Sequence, residues 1–514
     1  MKKVILSALA LVIGAVAFAQ DNKSSYPPSD PSPGANPTAQ EGHSTVLLEI
    51  PTPEVNKSTN TDANTGTTIQ DGDGQRAQVR QQGIINSALT IQSNGDGTGG
   101  NEVLVTQTSR ATGNPASTAS NIVFTEQIGT ENISVSTQEG FGNVAVTGQG
   151  LADDGEVSKN NVAYISQVDP SDAEGNADNF AEIQQDGEGN SAITSQNVNL
   201  NSARTIQDGN DNVAVITQES EEVPSDIANG LGQDALVDQI GDDNQATIGQ
   251  AGLARNEAST IQIGSGNTSS QVQLGNDTSA EGGNTATVAQ GYQGGREGNE
   301  KSVFVLDDID GDLGVEVSAF EGDSEGSIVS QSQVGGAGND TFASQFGNNN
   351  SASQVQFGND NEAFTTQLGG DGSDAAFNVV AQLQQGDRNS VALGQAGTGN
   401  LAVQSQIGDD NTTTALQTGT DNVLNSYQVG NNNAFHAVQD GVHNAAFVLQ
   451  DGGNSYTLQQ GLNAPSANNQ ADIQQVGSYG TFEEYPSLYK PTNLERPELP
   501  AHATPSIPDL HSNN

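Results

Sequence analysis

The stretch Gln406-Ile-Gly408-Asp-Asp-Asn411-Thr-Thr-Thr-Ala-Leu-Gln417-Thr-Gly419-Thr-Asp-Asn422-Val-Leu-Asn-Ser-Tyr-Gln428-Val-Gly430-Asn-Asn-Asn433 decides the fold. It belongs to a longer run in which the glutamines at 384, 395, 406, 417, 428, 439 and 450 fall eleven residues apart. Each interval reads Gln, any residue, Gly, two residues, Asn, five residues, Gln. Self-similarity at a short fixed period marks a stacked-repeat architecture, in which each unit buries its surface against its neighbours.

Parity inside the unit identifies the secondary structure. Number the unit from Asn at position 0 to Gln at position 6; a strand then places all even positions on one face. Asn411, Thr413, Ala415 and Gln417 share that face, as do Asn433, Phe435, Ala437 and Gln439. The charged residues Glu102, Glu126, Glu182, Arg204, Glu257, Asp340, Glu362 and Asp472 all stand at odd positions. Burying an unpaired charge costs far more than burying an amide that can hydrogen-bond, so the even face is the interior. A helix would not sort charges by parity.

Seven strand residues span about 23 Å, and the four residues between one Gln and the next Asn form a corner. Gly397, Gly408, Gly419, Gly430 and Gly441 take its second place, where a left-handed conformation is needed. Asp and Asn crowd the next two places because both tolerate turn geometry. Two strands and two corners make one coil. The expected class is all-β: a flattened two-sheet β-solenoid with about 11 residues per strand-turn and about 22 per coil, flanked by disordered segments. Interior Asn and Gln become acceptable when coils stack at about 4.8 Å, because each amide can donate to one rung and accept from the other. The expected ladder comprises Asn389, Gln395, Asn400, Gln406, Asn411, Gln417, Asn422, Gln428, Asn433, Gln439, Asn444 and Gln450.

Working outward, Met1 to Ala19 reads as a signal peptide: Lys2 and Lys3, an apolar run from Val4 to Val16, and Ala17-Phe18-Ala19 before Gln20. That run is too short for a typical membrane span and none like it follows, so no transmembrane segment is expected in the mature chain. Residues 20–66 are rich in Pro, Ser, Thr and Asn and read as a flexible leader; its short apolar patch, Thr45 to Ile50, could serve as a recognition strand for a secretion partner. Interrupted repeats occupy 67–290, starting at Gln75 to Gln81, and an acidic insertion 291–326. Regular repeats fill 327–477 and a Pro-rich tail 478–514. Variants such as Ser327 to Gln333 and Gln233 to Gln239 replace the Asn but keep the spacing.

Composition narrows the function. A net charge of -48, from 63 acidic and 15 basic residues, argues against nucleic acid as a partner. The absence of cysteine removes disulfides, thiol nucleophiles and zinc thiolates together. Gly95 to Gly100 contains a G-x-G-x-x-G string, but a strand rather than a helix follows it. Gly322-Asp-Ser324-Glu-Gly326 fits G-x-S-x-G without hydrolase surroundings. Asp308, Asp310 and Asp312 resemble the start of a calcium loop, yet Leu313 and Ala319 stand where such a loop needs Gly and Glu. They form a weak calcium candidate. The five histidines show no ligand spacing. No catalytic residue and no cofactor is expected.

The unit seen as Gln239-Ile-Gly241-Asp-Asp-Asn244-Gln-Ala246 to Gln250, and as Gln395-Ala-Gly397-Thr-Gly-Asn400-Leu-Ala402 to Gln406, resembles the curlin repeat of curli fibre subunits. The resemblance runs from about Gln75 to Gln475. It implies a secreted bacterial amyloid subunit of the biofilm matrix, export through a curli-type outer-membrane secretion pore, and assembly at the cell surface with a nucleator and accessory proteins. The chain is longer than a typical curlin and its repeats are interrupted. Independently of the resemblance, the best repeats lack Pro and their strands lack charge from Asn389 to Gln450, so the end strands are unprotected and self-association follows. The alternative is a secreted solenoid adhesin that does not polymerise, modulated by calcium. A β-helix enzyme acting on polysaccharide would need converging carboxylates, whereas the in-strand charges here are scattered.

Overall fold

The computed structural model describes residues 64–476, apart from 84–85, 95–98, 110–120, 141, 151–157, 169–178, 199, 221–231, 253–254, 276–282, 292–323, 370–377 and 462–465. The expected signal peptide, most of the leader, Asp308, Asp310, Asp312 and the Pro-rich tail lie outside the described residues. Within them, strands follow one another without a helix.

Burial alternates with sequence parity. In the strand Leu401–Ile407, Ala402, Gln404 and Gln406 are buried, while Val403 and Ser405 are partly exposed. Successive strands go alternately to two parallel sheets of 17 and 15 strands, the larger including the two-residue pieces Ser324–Glu325 and Ser466–Ala467. Register is kept position for position. Gln395 pairs with Gln417 and Gln417 with Gln439 in the first sheet; Gln384 pairs with Gln406 and Gln406 with Gln428 in the second. Each step is one coil of the flattened two-sheet solenoid expected from the repeat.

The interior is thin. Small residues at position 2 (Ala203, Ala214, Ala235, Ala246) let the sheets approach, and Ile216, Val237 and Ile248 at position 4 fill the gap between them. Among the described residues no strand of the repeat is interrupted. Thr268 pairs with Ile328 and Thr285 with Asp340, so the sheets close directly across the acidic insertion. Its last residues, Ser324–Glu325, already pair with Gly264 and Ser265, so the ladder reclaims the end of the segment expected to be insertion.

The array also begins one unit earlier than the spacing from Gln75 suggests. Asn64 opens a copy ending at Gln70, and its strand Thr65–Asp71 pairs with Asn86–Ser93 inside the expected leader's last residues. Asn64 accepts from the Asn86 side chain at 3.0 Å and Gln70 donates to Gln92 at 2.8 Å, which pulls the boundary forward.

Corners explain the glycines twice over. Gly408 has φ of 116°, and a Cβ there would sit 2.2 Å from the Gly430 carbonyl oxygen of the next coil. A second left-handed residue closes the same corner just before Asn: Asp410 (58°), Asp421 (53°), Asn432 (61°) and His443 (57°). Asx residues reach that region more readily than others. Gly452 has φ of 76° but open space around its would-be Cβ. Gly452→Ala should therefore lose only the left-handed penalty, about 1–2 kcal/mol. Gly408→Ala adds a steric clash and should lose clearly more, read as the fall in urea midpoint.

Candidate functional site: the amide ladders

From Asn86 to Gln450 nearly every described unit carries a buried Asn at position 0 and a buried Gln at position 6, each bonded in a repeated direction. Gln417 Nε2 gives one hydrogen to the Leu401 carbonyl across the interior (3.1 Å) and the other to Gln439 Oε1 (2.8 Å). Gln395 donates to Gln417 in the same sense (2.8 Å), and Gln439 to Gln460 (2.9 Å). The second sheet repeats this from Gln384 through Gln406 and Gln428 to Gln450 at 2.9–3.0 Å. All these glutamines donate toward the C-terminal end of the stack.

The asparagines run the other way. Asn411 Nδ2 donates back to Asn389 Oδ1 (3.0 Å) and to the Gly430 carbonyl (2.8 Å), while its backbone N–H also donates to Asn389 Oδ1 (3.1 Å). Asn433 does the same onto Asn411 (2.9 Å). In the second sheet Asn400, Asn422 and Asn444 continue the pattern at 3.0–3.1 Å. The carbonyl that receives Asn belongs to a corner glycine, so the glycine and the ladder form one device. Substituted rungs keep part of it: the Ser327 N–H donates to Asn267 Oδ1 (3.2 Å), and Gln233 Oε1 accepts the Asn256 N–H (3.2 Å).

Two further ladders were not read from the sequence. Position 4 carries Gln271, Gln331, Gln354, Gln382 and Gln404, each donating to the next at 2.8–3.2 Å. The outer corner carries another, in which the Asp387 N–H donates to Asp409 Oδ1 and the Asp409 N–H to Asn431 Oδ1, both 3.0 Å. The Asp409 and Asn431 after Gly408 and Gly430 thus each cap a backbone donor of the preceding coil. The signal for the first was the Gln at position 4 recurring every other unit; the second was hidden behind generic turn preference.

Odd positions are not uniformly exposed. Glu182 keeps only 7% of its side chain exposed, lies in register with Arg204 and Val146, and pairs with Arg204 at 3.3 Å. Burial pushes its carboxyl above the ordinary range; Arg204 and the Gln184 amide oppose this. Asp238, also odd, is buried between Ile206 and Ile261. Neighbours one coil away cover an outward side chain almost as well as a core does. Among the described residues no three His, Asp or Glu side chains come together as a metal site.

Burial, reinforced by the like charge of Glu362 on the next coil, raises the Asp340 carboxyl from 3.8 to about 6. A raised carboxyl means the folded chain holds its proton more tightly than the unfolded one, so this residue's contribution to stability improves as pH falls from 6 toward 3.8. Asp340→Asn should therefore be the more stable chain at pH 7, with its advantage shrinking through that window and gone below it, as measured by urea midpoints. The position-4 ladder supplies a second case. Gln404 Nε2 is buried without a partner, because Ser426 takes the next rung. Ser426→Gln, in line with the small Ala415 and Ala437, should extend the ladder and raise stability by about 1 kcal/mol, seen as a shifted midpoint with unchanged slope.

A comparison with curated proteins finds no match. Residues 386–419, which hold the rungs Asn389 to Gln417, match the family model described as the curlin associated repeat. That match falls on the best-formed ladders, so this stretch of the chain is similar to the curlin associated repeat.

Proposed function

We propose that this chain is an exported structural subunit that polymerises end to end into a cross-β fibre, serving adhesion and the biofilm matrix as curli subunits do. The reading makes it a scaffold rather than an enzyme. It includes release of Met1 to Ala19 as a signal peptide, passage through an outer-membrane pore, and contact with a nucleator and accessory proteins at the cell surface.

The observation that carries the proposal is the polarity of the ladders at the two ends of the stack. Gln70 and Gln81 donate to Gln92 and Gln107, and Gln460 and Gln475 accept from Gln439 and Gln450; among the described residues no glutamine rung precedes the first pair to donate to their Oε1 atoms, and none follows the second pair to accept from their Nε2 atoms. One end offers what the other lacks. Among the described residues the end strands also present unpaired backbone edges, which template further pairing. A head-to-tail contact of this kind does not close on itself and so extends into a filament.

Purified chain should pass from soluble coil to thioflavin-binding fibres with a meridional reflection at about 4.8 Å. Gln417→Ala, which removes a buried rung, should lengthen the lag several-fold. Thr414→Ala, at an outward position of the same strand, should leave it nearly unchanged. A folded protein that stays monomeric under these conditions would overturn the reading.

A further inference from the structure

The in-strand charges divide between the sheets as well as between parities. Glu126, Glu182, Asp234, Glu257, Asp340 and Glu362 stand outward on the 17-stranded sheet, together with Arg204. On the 15-stranded sheet the first two strands carry Arg76, Arg80 and Glu102, and the last carries Asp472. The twelve strands between them, from Ile133–Glu139 to Ala445–Asp451, have no Asp, Glu, Lys or Arg at outward positions 1, 3 or 5. Those positions hold residues such as Val135, Tyr164, Val215, Val403, Tyr427 and Phe447 among Ser and Thr. In a chain of net charge -48 this face is the exception.

We propose that this face docks a second copy of the same chain, so that two solenoids lie face to face through their 15-stranded sheets. Charge selects the occupant. Copies of so acidic a chain repel one another, and pairing through the other sheet would press the Asp340 and Glu362 carboxylates into an interface with too few bases to meet them. The 15-stranded sheet is the surface across which two copies approach without desolvating an ionised group. Its size is sufficient: twelve strands at about 4.8 Å by about 20 Å across give on the order of 1,000 Å² per copy, above the roughly 800 Å² per partner of a standard stable interface. Flat faces of this kind pack at about 10 Å with strands nearly aligned. The corners take all the described interruptions of the repeat, so no insertion breaks a strand of this face. The inference rests on the fibre reading only for the setting in which the copies meet.

The test uses the full chain with Val403→Glu and, at a smaller outward residue, Ser330→Glu; Thr414→Glu on the opposite sheet is the control. Glu182 shows that the fold accepts Glu at position 3. Mass per length by scanning transmission electron microscopy should give two chains per solenoid length for the unaltered fibre and for Thr414→Glu, and half that for the other two. One chain per length in the unaltered fibre, or no loss in both face variants, overturns the pairing. If no fibre forms, the polymerisation reading fails by itself, and sedimentation of the folded chain decides the pairing: a dimer that Val403→Glu or Ser330→Glu splits supports it, and a monomer overturns it.

Discussion

A buried primary amide has two hydrogens and an oxygen to satisfy, and in this molecule its own coil supplies at most part of that. Gln417 can bond the Leu401 carbonyl across the interior, but its other hydrogen and its oxygen need the coils after and before it. Leaving such a group unpaired costs about 1–3 kcal/mol, and every coil contains several. Register is therefore set by unmet need more than by apolar packing, which the small residues at position 2 keep slight. A slip of one residue would turn every Asn and Gln outward and every odd-position charge inward. The same need explains why no described strand is interrupted, since a residue added inside a strand would break the rungs beyond it in that strand.

The corners answer to the ladders too. Gly408 and Gly430 are held by backbone shape and by the approach of the next coil, and the Gly430 carbonyl is also the acceptor for Asn411. Asp409 and Asn431 then cap the N–H groups left at the bend. Charge settles where these demands allow it, at corners and odd positions, and there the short coil spacing creates its own burial. Glu182, Asp238 and Asp340 show that the outside of a stacked sheet is not simply solvent.

Most of this architecture is legible in the sequence, because parity is a local property. Ten residues around Asn411 reveal a strand, its inner face and its corner. Other features are not local. The pairing of Thr268 with Ile328 cannot be read from either strand, since any uncharged strand of the right length would fit. The copy at Asn64 is disguised by a Thr-rich strand lacking the usual Ala, and only its bonds to Asn86 and Gln92 reveal it. The second left-handed residue of each corner hides because Asp, Asn, Arg388 and His443 all occupy it. The burial of Glu182 depends on Arg204 one coil away, whose distance in sequence is set by the intervening strand and the two corners that flank it. What the amides could assemble into follows from their chemistry, whereas which copy meets which depends on the whole stack.

The opposed senses of the Gln and Asn ladders have an electrical consequence. A long α-helix aligns its peptide dipoles and accumulates partial charge at its ends. Outside the stretch from Gln271 to Gln404, where the position-4 ladder adds a second forward file, each sheet holds one file of amides pointing forward and one pointing back, so the two side-chain dipole sums oppose one another coil by coil. Adding such coils adds rungs without adding to the side-chain dipole along the axis.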